Sequence, residues 1–256
     1  MVSTAIILAA GEGSRLRSAA PLKPLCTLGG RSLLAHAISG LAIAGITRAV
    51  VVLGYGADEI EAYIAERSWP VTVQTAYNAD YRHPNGTSVL VAEPLVGTEE
   101  ALLVMCDHLV EPALYRHVAQ AGASGGARLG VDRRIDSEWI DIEDVTRVRS
   151  ENDRIVEIGK GISEYDCFDT GVFAIGPIVF DALRRLKSPS MTEAIRALAQ
   201  RGSALTVDCG ELAWFDVDDQ SALTKAERWL GSSLPDVHSS NPGDELRRRS
   251  GGNRPS

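Results

Sequence analysis

The sequence predicts an α/β fold with a doubly wound, mostly parallel mixed sheet, and three observations support this. Residues 4–8 form a β-branched, apolar run that stops at a glycine-containing loop, which is typical of a parallel strand buried on both faces. Apolar residues then recur at helical spacing over residues 33–44, Gly45 ends the pattern, and residues 49–53 form a second apolar run, which indicates a βαβ unit. The alternation continues to an apolar strand at residues 101–105, as a doubly wound sheet requires.

The remaining elements follow from the same periodicity, and they divide the chain into two halves. In the first half the pattern predicts helices near residues 58–67 and 88–94 and a strand near residues 71–75. Beyond about residue 127 the segments become short strands joined by polar turns, which predicts a small antiparallel addition beside the main sheet. These strands are expected at residues 140–148, 154–158 and 168–175, followed by helices at 178–186 and 192–201, a strand at 204–207 and a last helix at 220–230.

Composition and charge limit the classes of function. The chain has 256 residues, of which 45% are hydrophobic and 23% charged, so it can bury a substantial core. A formal net charge of −8 argues against a general nucleic-acid binder, because such proteins hold the phosphate backbone with clustered Lys and Arg. The apolar run at residues 5–10 is too short to span a bilayer and no basic segment precedes it, so a cytoplasmic protein without a membrane span is predicted.

Two further expectations concern the cysteines and the end of the chain. Four widely spaced cysteines form no C-x-x-C pair, so we expect mostly buried thiols and neither a zinc site nor a disulfide framework. Residues 231–256 are rich in Gly, Ser, Pro and Arg, with few large apolar side chains to offset the entropy cost of ordering. The sequence therefore predicts one folded domain at residues 1–230 and a disordered polar tail at residues 231–256.

The strongest chemical signal is a glycine loop directly after the first strand. Gly11 and Gly13 provide bare backbone there, whose N–H groups can approach an anion closely, and Arg15 adds a fixed positive charge. Pro24 restricts the backbone of Lys23, which helps to hold an ammonium group near the same anion. Together these groups suit a triphosphate. A lone G-x-G also occurs in ordinary strand-to-helix turns, whereas the complete dinucleotide and Walker A patterns are absent from the sequence.

Two carboxylates are candidates for a magnesium site. Asp107 follows the apolar strand at residues 101–105, at the edge where open α/β sheets collect ligands. Because Mg²⁺ usually takes one or two carboxylates together with substrate phosphates, a second carboxylate should converge from elsewhere, and Asp216 is the candidate. Asp107 alone could also be a turn or capping residue, and capping is a simple interpretation of Asp218.

The segment L-A-A-G-E-G-S-R-L at residues 8–16, followed by K-P-L, resembles the signature of the sugar-phosphate nucleotidyltransferase superfamily as far as about residue 230. Further pieces, N-G-T-S and M-C-D-H among them, look like those of inositol-1-phosphate cytidylyltransferases. The resemblance implies a Rossmann-like, GT-A-type fold and a catalytic domain at residues 1–230. By the same resemblance, the residues that contact the nucleotide are Leu8, Ala9, Ala10, Gly11, Gly13, Arg15, Lys23, Asn85, Gly86 and Ser88. The resemblance further implies that Arg15, Lys23 and Asp107 are catalytic and that Asp107 and Asp216 bind Mg²⁺. It assigns the acceptor to Lys160, Asp169 and Thr170.

The reaction implied by this resemblance joins CTP to a small phosphorylated polyol such as inositol 1-phosphate and releases pyrophosphate. The attacking phosphate oxygen is already ionised, so no general base is needed and His108 is interpreted as local structure. Phosphocholine, a phosphonate or a sugar 1-phosphate remain open as acceptors. A glycosyltransferase that consumes a nucleotide sugar is an alternative from another class, which Lys23 and Pro24 disfavour, and a non-enzymatic regulator would have little need of paired carboxylates. The oligomeric state stays open.

Overall fold

The computed structural model describes residues 1–17, 20–137 and 140–233. Its strands, in chain order, are β1 (Thr4–Ala9), β2 (Thr27–Leu28), β3 (Arg31–Ser32), β4 (Arg48–Leu53), β5 (Thr72–Tyr77), β6 (Ala101–Met105), β7 (His108–Val110), β8 (Ala127–Asp132), β9 (Arg147–Glu151), β10 (Arg154–Gly159), β11 (Cys167–Ile175), β12 (Ala204–Asp208) and β13 (Trp214–Asp216). Its helices are α1 (Leu33–Ala44), α2 (Ala57–Ala65), α3 (Gly86–Val96), α4 (Pro112–Ala121), α5 (Pro177–Arg184), α6 (Met191–Ala199) and α7 (Gln220–Ser233). Two short 3-10 turns, Ser14–Leu16 and Lys23–Leu25, lie between β1 and β2.

Nine strands in the described part of the chain form one sheet, in the order β5-β4-β1-β6-β11-β8-β12-β10-β9. The first four are parallel to one another, and β8 is parallel to β12. Strand β11 pairs antiparallel with β6 and β8, and β10 pairs antiparallel with β12 and β9, so within this sheet these two run against the other seven. The predicted mostly parallel, mixed α/β fold is therefore confirmed. The antiparallel strands continue the main sheet, whereas an addition beside it was expected.

Helices cover both faces of the sheet, which explains why its central strands are apolar throughout. All six residues of β1 are buried. Ile7 points into the core that contains residues of α1 and α4, and Ile6 points into the opposite core with residues of α3, α5 and α6. Each such side chain stabilises the fold by roughly 1.5–3 kcal/mol through burial alone. The strand is thus held rigidly, and so is the loop that follows it.

Helix α1 begins and ends where the sequence predicts. The Ser32 side chain accepts a hydrogen bond from the Ala35 N–H at 3.0 Å, which caps one of the free donors at the helix start. At the other end Gly45 adopts a φ of 98°, a left-handed conformation that glycine reaches without steric cost, and its N–H bonds back to the Ala42 carbonyl. These two caps confirm the first predicted βαβ unit.

The predicted strand at residues 140–148 is wrong in its bounds, because β9 covers Arg147–Glu151. The segment before it forms turns around Asp141. The Asp141 side chain accepts from the Glu143 N–H at 3.0 Å, and the Asp141 carbonyl accepts from the Val145 N–H at 2.9 Å. Such local bonds offer the backbone an alternative to strand pairing. The apolar residues in this segment therefore suggested a longer strand than the one that forms.

Six elements have no counterpart among the predictions: β2, β3, β7, β8, β13 and α4. Strands β7 and β13 contain only three residues each, too few for a readable alternation. Helix α4 did carry a signal, since Pro112 opens its first turn and the buried residues Leu114 and Val118 are spaced at i and i+4.

The last helix, α7, packs its Trp229 ring 5.2 Å from the ring of Phe215, and it extends to Ser233. The predicted boundary at residue 230 falls within this helix, so the first three residues of the predicted tail at residues 231–256 are helical, and residues 234–256 lie outside the described part. All four cysteines are free and buried, as predicted: Cys26, Cys106, Cys167 and Cys209. Across residues 1–17, 20–137 and 140–233, the helices are too short or too polar to cross a bilayer.

Candidate active site

A cavity of about 290 Å³ lies where β1 and β6 end, and we call it the glycine-loop pocket. It is lined by Leu8, Ala9, Gly11, Gly13, Ser14, Arg15, Lys23, Pro24, Cys106, Asp107 and Asp218. Most residues predicted around the triphosphate thus share one pocket. Ala10 is buried behind it, where its carbonyl accepts a hydrogen bond from the Tyr55 N–H at 3.0 Å.

Gly13 shapes this pocket in a way that a larger residue would prevent. Its φ is 55°, in the left-handed region that side chains other than glycine rarely adopt. A Cβ at this position would also overlap the side chain of Lys23. The bare glycine therefore allows the aliphatic part of Lys23 to pass against the loop. The glycine and lysine motifs form one structure although they are separated in the sequence.

The ammonium group of Lys23 lies between two carboxylates. The side chain is 8% exposed, and Nζ donates to Asp107 at 2.6 Å and also to Asp218. Burial by itself lowers the pKa of Lys23, but the charges of Asp107 and Asp218 outweigh it, so the pKa is raised. Burial and the charge of Asp216 raise the pKa of Asp218. Lys23 is therefore a fixed, buried cation at the floor of the pocket.

A second cavity, of about 250 Å³, opens beside the first, and we call it the carboxylate pocket. Arg15 and Asp218 line both cavities and so form the wall between them. The acidic residues around it are Asp141, Asp144, Asp169, Asp216, Asp218 and Asp219, and the basic ones are Arg15, Lys160 and Lys225. Apolar side chains from β6, β10, β11, β13, α6 and the 140–146 turns also line it.

Six side chains form a row of alternating charge that connects the two pockets, and we call it the charge row. In order it consists of Asp107, Lys23, Asp218, Arg15, Asp144 and Lys160, each in an ion pair with the next. Arg15 is central, because one of its terminal nitrogens donates to Asp144 at 2.7 Å and the other donates to Asp218. Hydrogen bonds from Lys160 and Arg15 hold the pKa of Asp144 well below its usual range.

Two members of the charge row were missed from the sequence. The capping interpretation of Asp218 is wrong, because it is the Asp219 side chain that caps α7, by accepting from the Ala222 N–H at 2.7 Å. The spacing Asp216-x-Asp218 was the available signal, since alternate residues of an extended segment lie on one side. Asp144 does not belong to a recognisable motif, and the segment around it was interpreted as a strand.

Asp107, His108 and Asp216 form a candidate metal centre, with one ligand atom from each within 4.8 Å of the others. Pairing of β13 with β7 places Asp216 opposite His108, and the Val217 N–H donates to the Asp107 carbonyl at 3.0 Å. The predicted convergence of Asp107 and Asp216 is what the structure shows. Carboxylate oxygens are the ligands that Mg²⁺ prefers, so these two residues fit that ion.

His108 is held firmly beside the two carboxylates. One ring nitrogen, Nδ1, lies 3.0 Å from the Thr170 carbonyl, while Nε2 is 3.6 Å from Asp216 and 4.0 Å from Asp107. The ring stacks on Trp214 at a centroid distance of 6.1 Å. Burial lowers the pKa of His108, but the charges of Asp216 and Asp107 raise it to about 10. His108 thus offsets negative charge and orients its neighbours, as a structural role implies.

Of the three predicted acceptor residues, two line the carboxylate pocket. Lys160 ends at its rim in an ion pair with Asp144, and Asp169 faces inward while accepting from the Gly171 N–H at 2.7 Å. Thr170 points the other way: its buried hydroxyl donates to the Gly130 carbonyl at 2.7 Å, which braces β11 against β8. Direct contact between Thr170 and an acceptor is therefore not visible in this arrangement.

The segment at residues 85–88, predicted to contact the nucleotide, lies at the start of α3. Asn85 lines the carboxylate pocket, and its side-chain oxygen accepts from the Met191 N–H at 3.0 Å. Gly86 has no room for a side chain, because a Cβ would approach the Pro189 carbonyl to 2.6 Å. Ser88 is buried and accepts from the Asn78 amide at 2.9 Å. Nucleotide contacts by these residues stay a prediction.

Replacing Asp169 by asparagine is expected to stabilise the protein above pH 6, by up to about 2 kcal/mol. Burial raises the pKa of the Asp169 carboxyl to about 6, so the folded state holds the proton more tightly than the unfolded chain does. Wild-type stability therefore falls as the pH rises from about 4 through 6, and the neutral variant avoids that loss. Urea unfolding of both proteins at pH 4 and pH 8 measures the difference. A gap that is equal at both pH values would contradict the assignment.

A glycine loop and a buried lysine lie at the end of a parallel strand, beside paired aspartates and a second polar pocket. This fold and these two pockets define the class of protein as a nucleotidyltransferase. Residues 5–204 match the MobA-like NTP transferase domain, and the chain belongs to this family. The resemblance inferred from the glycine and lysine motifs is thereby confirmed.

Curated relatives extend the comparison. A bifunctional IPC transferase and DIPP synthase from Rubrobacter xylanophilus is 35% identical over 234 residues, which cover 88% of this chain and 51% of the relative. A protein of the same description from Aquifex aeolicus is 32% identical over 240 residues, which cover 90% of this chain and 52% of that one. The chain spans about half the length of the curated relatives it matches.

Solved structures agree with the same assignment. The inositol-1-phosphate CTP transferase from T. maritima is similar with a TM-score of 0.80 and 25% identity, covering 91% of this chain and 98% of that chain. A UDP-glucose pyrophosphorylase from Acinetobacter baumannii has a TM-score of 0.76 at 19% identity, and the match covers 97% of this chain and 98% of that chain. The second likeness concerns the fold alone.

Proposed function

We propose that this chain is a Mg²⁺-dependent cytidylyltransferase that joins CTP to inositol 1-phosphate or a closely similar phosphorylated polyol, with release of pyrophosphate. The charge row carries this proposal, because its cations line both pockets: Lys23 the first, Lys160 the second, and Arg15 the wall between them. Two phosphorylated substrates repel one another, and preorganised cations between them offset that repulsion. The description of the T. maritima inositol-1-phosphate CTP transferase supports the choice of CTP and inositol phosphate.

In this proposal the nucleoside triphosphate binds in the glycine-loop pocket, where Lys23 and Arg15 offset its charge. An oxygen of the acceptor phosphate attacks the α-phosphorus in line, a new P–O bond forms, and the bond to pyrophosphate breaks. Because the attacking oxygen is already ionised, the protein contributes positioning and charge. Asp107 and Asp216 would hold Mg²⁺, which neutralises substrate phosphates when bound.

The lining of the carboxylate pocket favours a polyol phosphate as the acceptor. Lys160 and Arg15 offer donors to a phosphate group, whereas Asp169 and Asp141 can only accept hydrogen bonds in their ionised form. Hydroxyl groups supply the donors that such carboxylates require. Phosphocholine would satisfy the cations and would bring a positive charge to the carboxylates, but it offers them no hydrogen-bond donors. Inositol 1-phosphate therefore ranks first, and phosphonates and sugar 1-phosphates follow.

We also propose that residues 1–230 act as the catalytic domain and that the protein works in the cytoplasm, where nucleoside triphosphates are made. The family match covers most of this span. Helix α7 belongs to this domain, since it packs on β13, the strand that carries Asp216, and it extends the folded part to Ser233.

Pyrophosphate release tests the proposal directly. The four nucleoside triphosphates are combined in turn with inositol 1-phosphate, phosphocholine, aminoethylphosphonate and glucose 1-phosphate, all with Mg²⁺. We expect pyrophosphate and a CDP-linked product to appear fastest with CTP and inositol 1-phosphate, and to require both substrates. A preference for phosphocholine would replace the acceptor assignment. Release of a nucleoside diphosphate from a nucleotide sugar, without pyrophosphate in any mixture, would reject the proposed reaction.

A further inference from the structure

We propose that Asp144 is an internal competitor of the acceptor phosphate: its carboxylate occupies the anion position between Arg15 and Lys160 and must leave before a phosphate binds there. This inference rests on the proposed function in one respect, since it assumes that the displacing anion is the phosphate group of the second substrate. It assigns to Asp144 the role of setting the affinity of the carboxylate pocket for that group.

The contacts of Asp144 are those of a bound anion. One carboxylate oxygen accepts from Arg15 at 2.7 Å, and the other accepts from the ammonium of Lys160. These two cations come from distant parts of the chain, Arg15 from the loop after β1 and Lys160 from the turn after β10. Their shared partner is therefore the group that draws them together. The same pair of donors would match two oxygens of a phosphate group.

The position of this anion fits the reaction geometry. Arg15 also donates to Asp218, and both line the glycine-loop pocket. A phosphate that replaced the Asp144 carboxylate on Arg15 would lie on the wall between the two pockets, next to the place proposed for the triphosphate. Asp144 thus covers the point at which an attacking oxygen has to enter.

The ion pairs are weak enough to be exchanged. The side chains of Arg15 and Lys160 are 59% and 57% exposed, so solvent screens both contacts and each ion pair contributes little to stability. A phosphate dianion carries more charge than a carboxylate, and two of its oxygens can replace the two Asp144 oxygens that bind Arg15 and Lys160. A monoanionic carboxylate has no such advantage over Asp144. The competition therefore selects doubly charged phosphates against the many carboxylates of the cell.

The backbone of the turn that carries Asp144 is fixed, since the Asp144 and Val145 N–H groups donate to the Asp141 carbonyl at 3.2 and 2.9 Å. Arg147 anchors the segment by donating to the Ile142 carbonyl at 3.1 Å, and Asp141 closes the turn through its own backbone. Within the described part of the chain, the Asp144 side chain hydrogen-bonds only to these two cations. Movement of this one side chain is enough to expose Arg15 and Lys160 without unfolding the turn.

Removal of the charge at this position tests the inference. Asp144→Asn keeps the size of the side chain and loses its charge, and we expect it to bind inorganic phosphate about tenfold more tightly than wild type, because two exposed ion pairs no longer compete. Isothermal titration with phosphate at fixed ionic strength measures this. With inositol 1-phosphate as acceptor, KM should fall by a similar factor while kcat changes little.

Glu143→Gln is the matched control, since Glu143 lies in the same turn and has no ion pair in the described part of the chain. It should leave phosphate binding unchanged, and an equal gain in both variants would overturn the proposal as a general charge effect. Phosphate binding by Asp144→Asn that is no tighter than wild type would also overturn it.

When Asp144→Asn is combined with Lys160→Gln, the gain in phosphate affinity should shrink, which places the anion between the two cations. If no acceptor yields pyrophosphate, the proposed function fails, whereas tighter phosphate binding still supports the competing carboxylate.

Discussion

Asp216→Asn is expected to lower kcat by about a thousandfold while the protein remains folded. The variant keeps the shape of the side chain and removes one of the two carboxylates that fit Mg²⁺. Burial raises the pKa of Asp216, yet the neighbouring His108 outweighs it, so the pKa is lowered and the group is an anion at neutral pH. The change therefore removes a full charge. Its effect should exceed that of any other single substitution on β13.

Two measurements separate a metal role from other roles of Asp216. Pyrophosphate release reports kcat, and titration with Mn²⁺ followed by electron paramagnetic resonance reports metal affinity, which should weaken at least about tenfold. Asp208→Asn serves as the control, because Asp208 is an exposed aspartate at the end of β12, outside both pockets. Full turnover in the Asp216 variant would remove the metal assignment. Lost turnover with unchanged Mn²⁺ affinity would instead assign Asp216 to direct contact with substrate.

The parts of the fold that were predictable are those in which one local pattern decides the outcome. Strand β1 is buried on both sides, so its apolar run could only be read as a central strand. Helix α1 carries both caps in its own sequence, at Ser32 and Gly45. The prediction of a strand at residues 140–148 was wrong because hydrogen bonds to the Asp141 side chain compete with strand pairing. Neither apolar spacing nor propensity reports such bonds.

The site residues that were found from the sequence are likewise those that belong to a local pattern. Gly13, Lys23 and Asp107 stand in dense motifs, and the structure brings them together. Asp144 is part of the site only because the turn before β9 and the end of β10 face the loop after β1. The additional pairing of β9 with β11 contributes to that proximity, and no short stretch of sequence encodes such a pairing. Ser88 and Thr170 show the converse, because motif membership did not reveal that their hydroxyls are bonded within the fold.

Lys23→Met is expected to lower kcat by about a thousandfold and the free energy of unfolding by about 3 kcal/mol at pH 7. Methionine can fill the space beside Gly13, so the loss reflects charge and not packing. Without the ammonium, Asp107 and Asp218 face each other beside the triphosphate pocket with no cation between them. The pKa of Lys23 is raised, so its contribution to stability is complete below about pH 10 and is lost only as the pH rises through its folded value. The stability deficit of the variant should therefore be constant between pH 6 and pH 9.

A double variant separates the structural part of this effect from the catalytic part. In Lys23→Met with Asp218→Asn, one of the two carboxylates that faced the lost ammonium is neutral, so part of the lost stability should return, because fewer buried charges are left without their partner. Turnover should stay low, since the triphosphate still lacks its buried cation. Lys187→Met, at an exposed lysine without an ion pair in the described chain, controls for loss of a positive charge. Recovery of turnover together with stability would mean that Lys23 acts only by neutralising Asp218, and the motif that first identified the triphosphate pocket would then have a structural role alone.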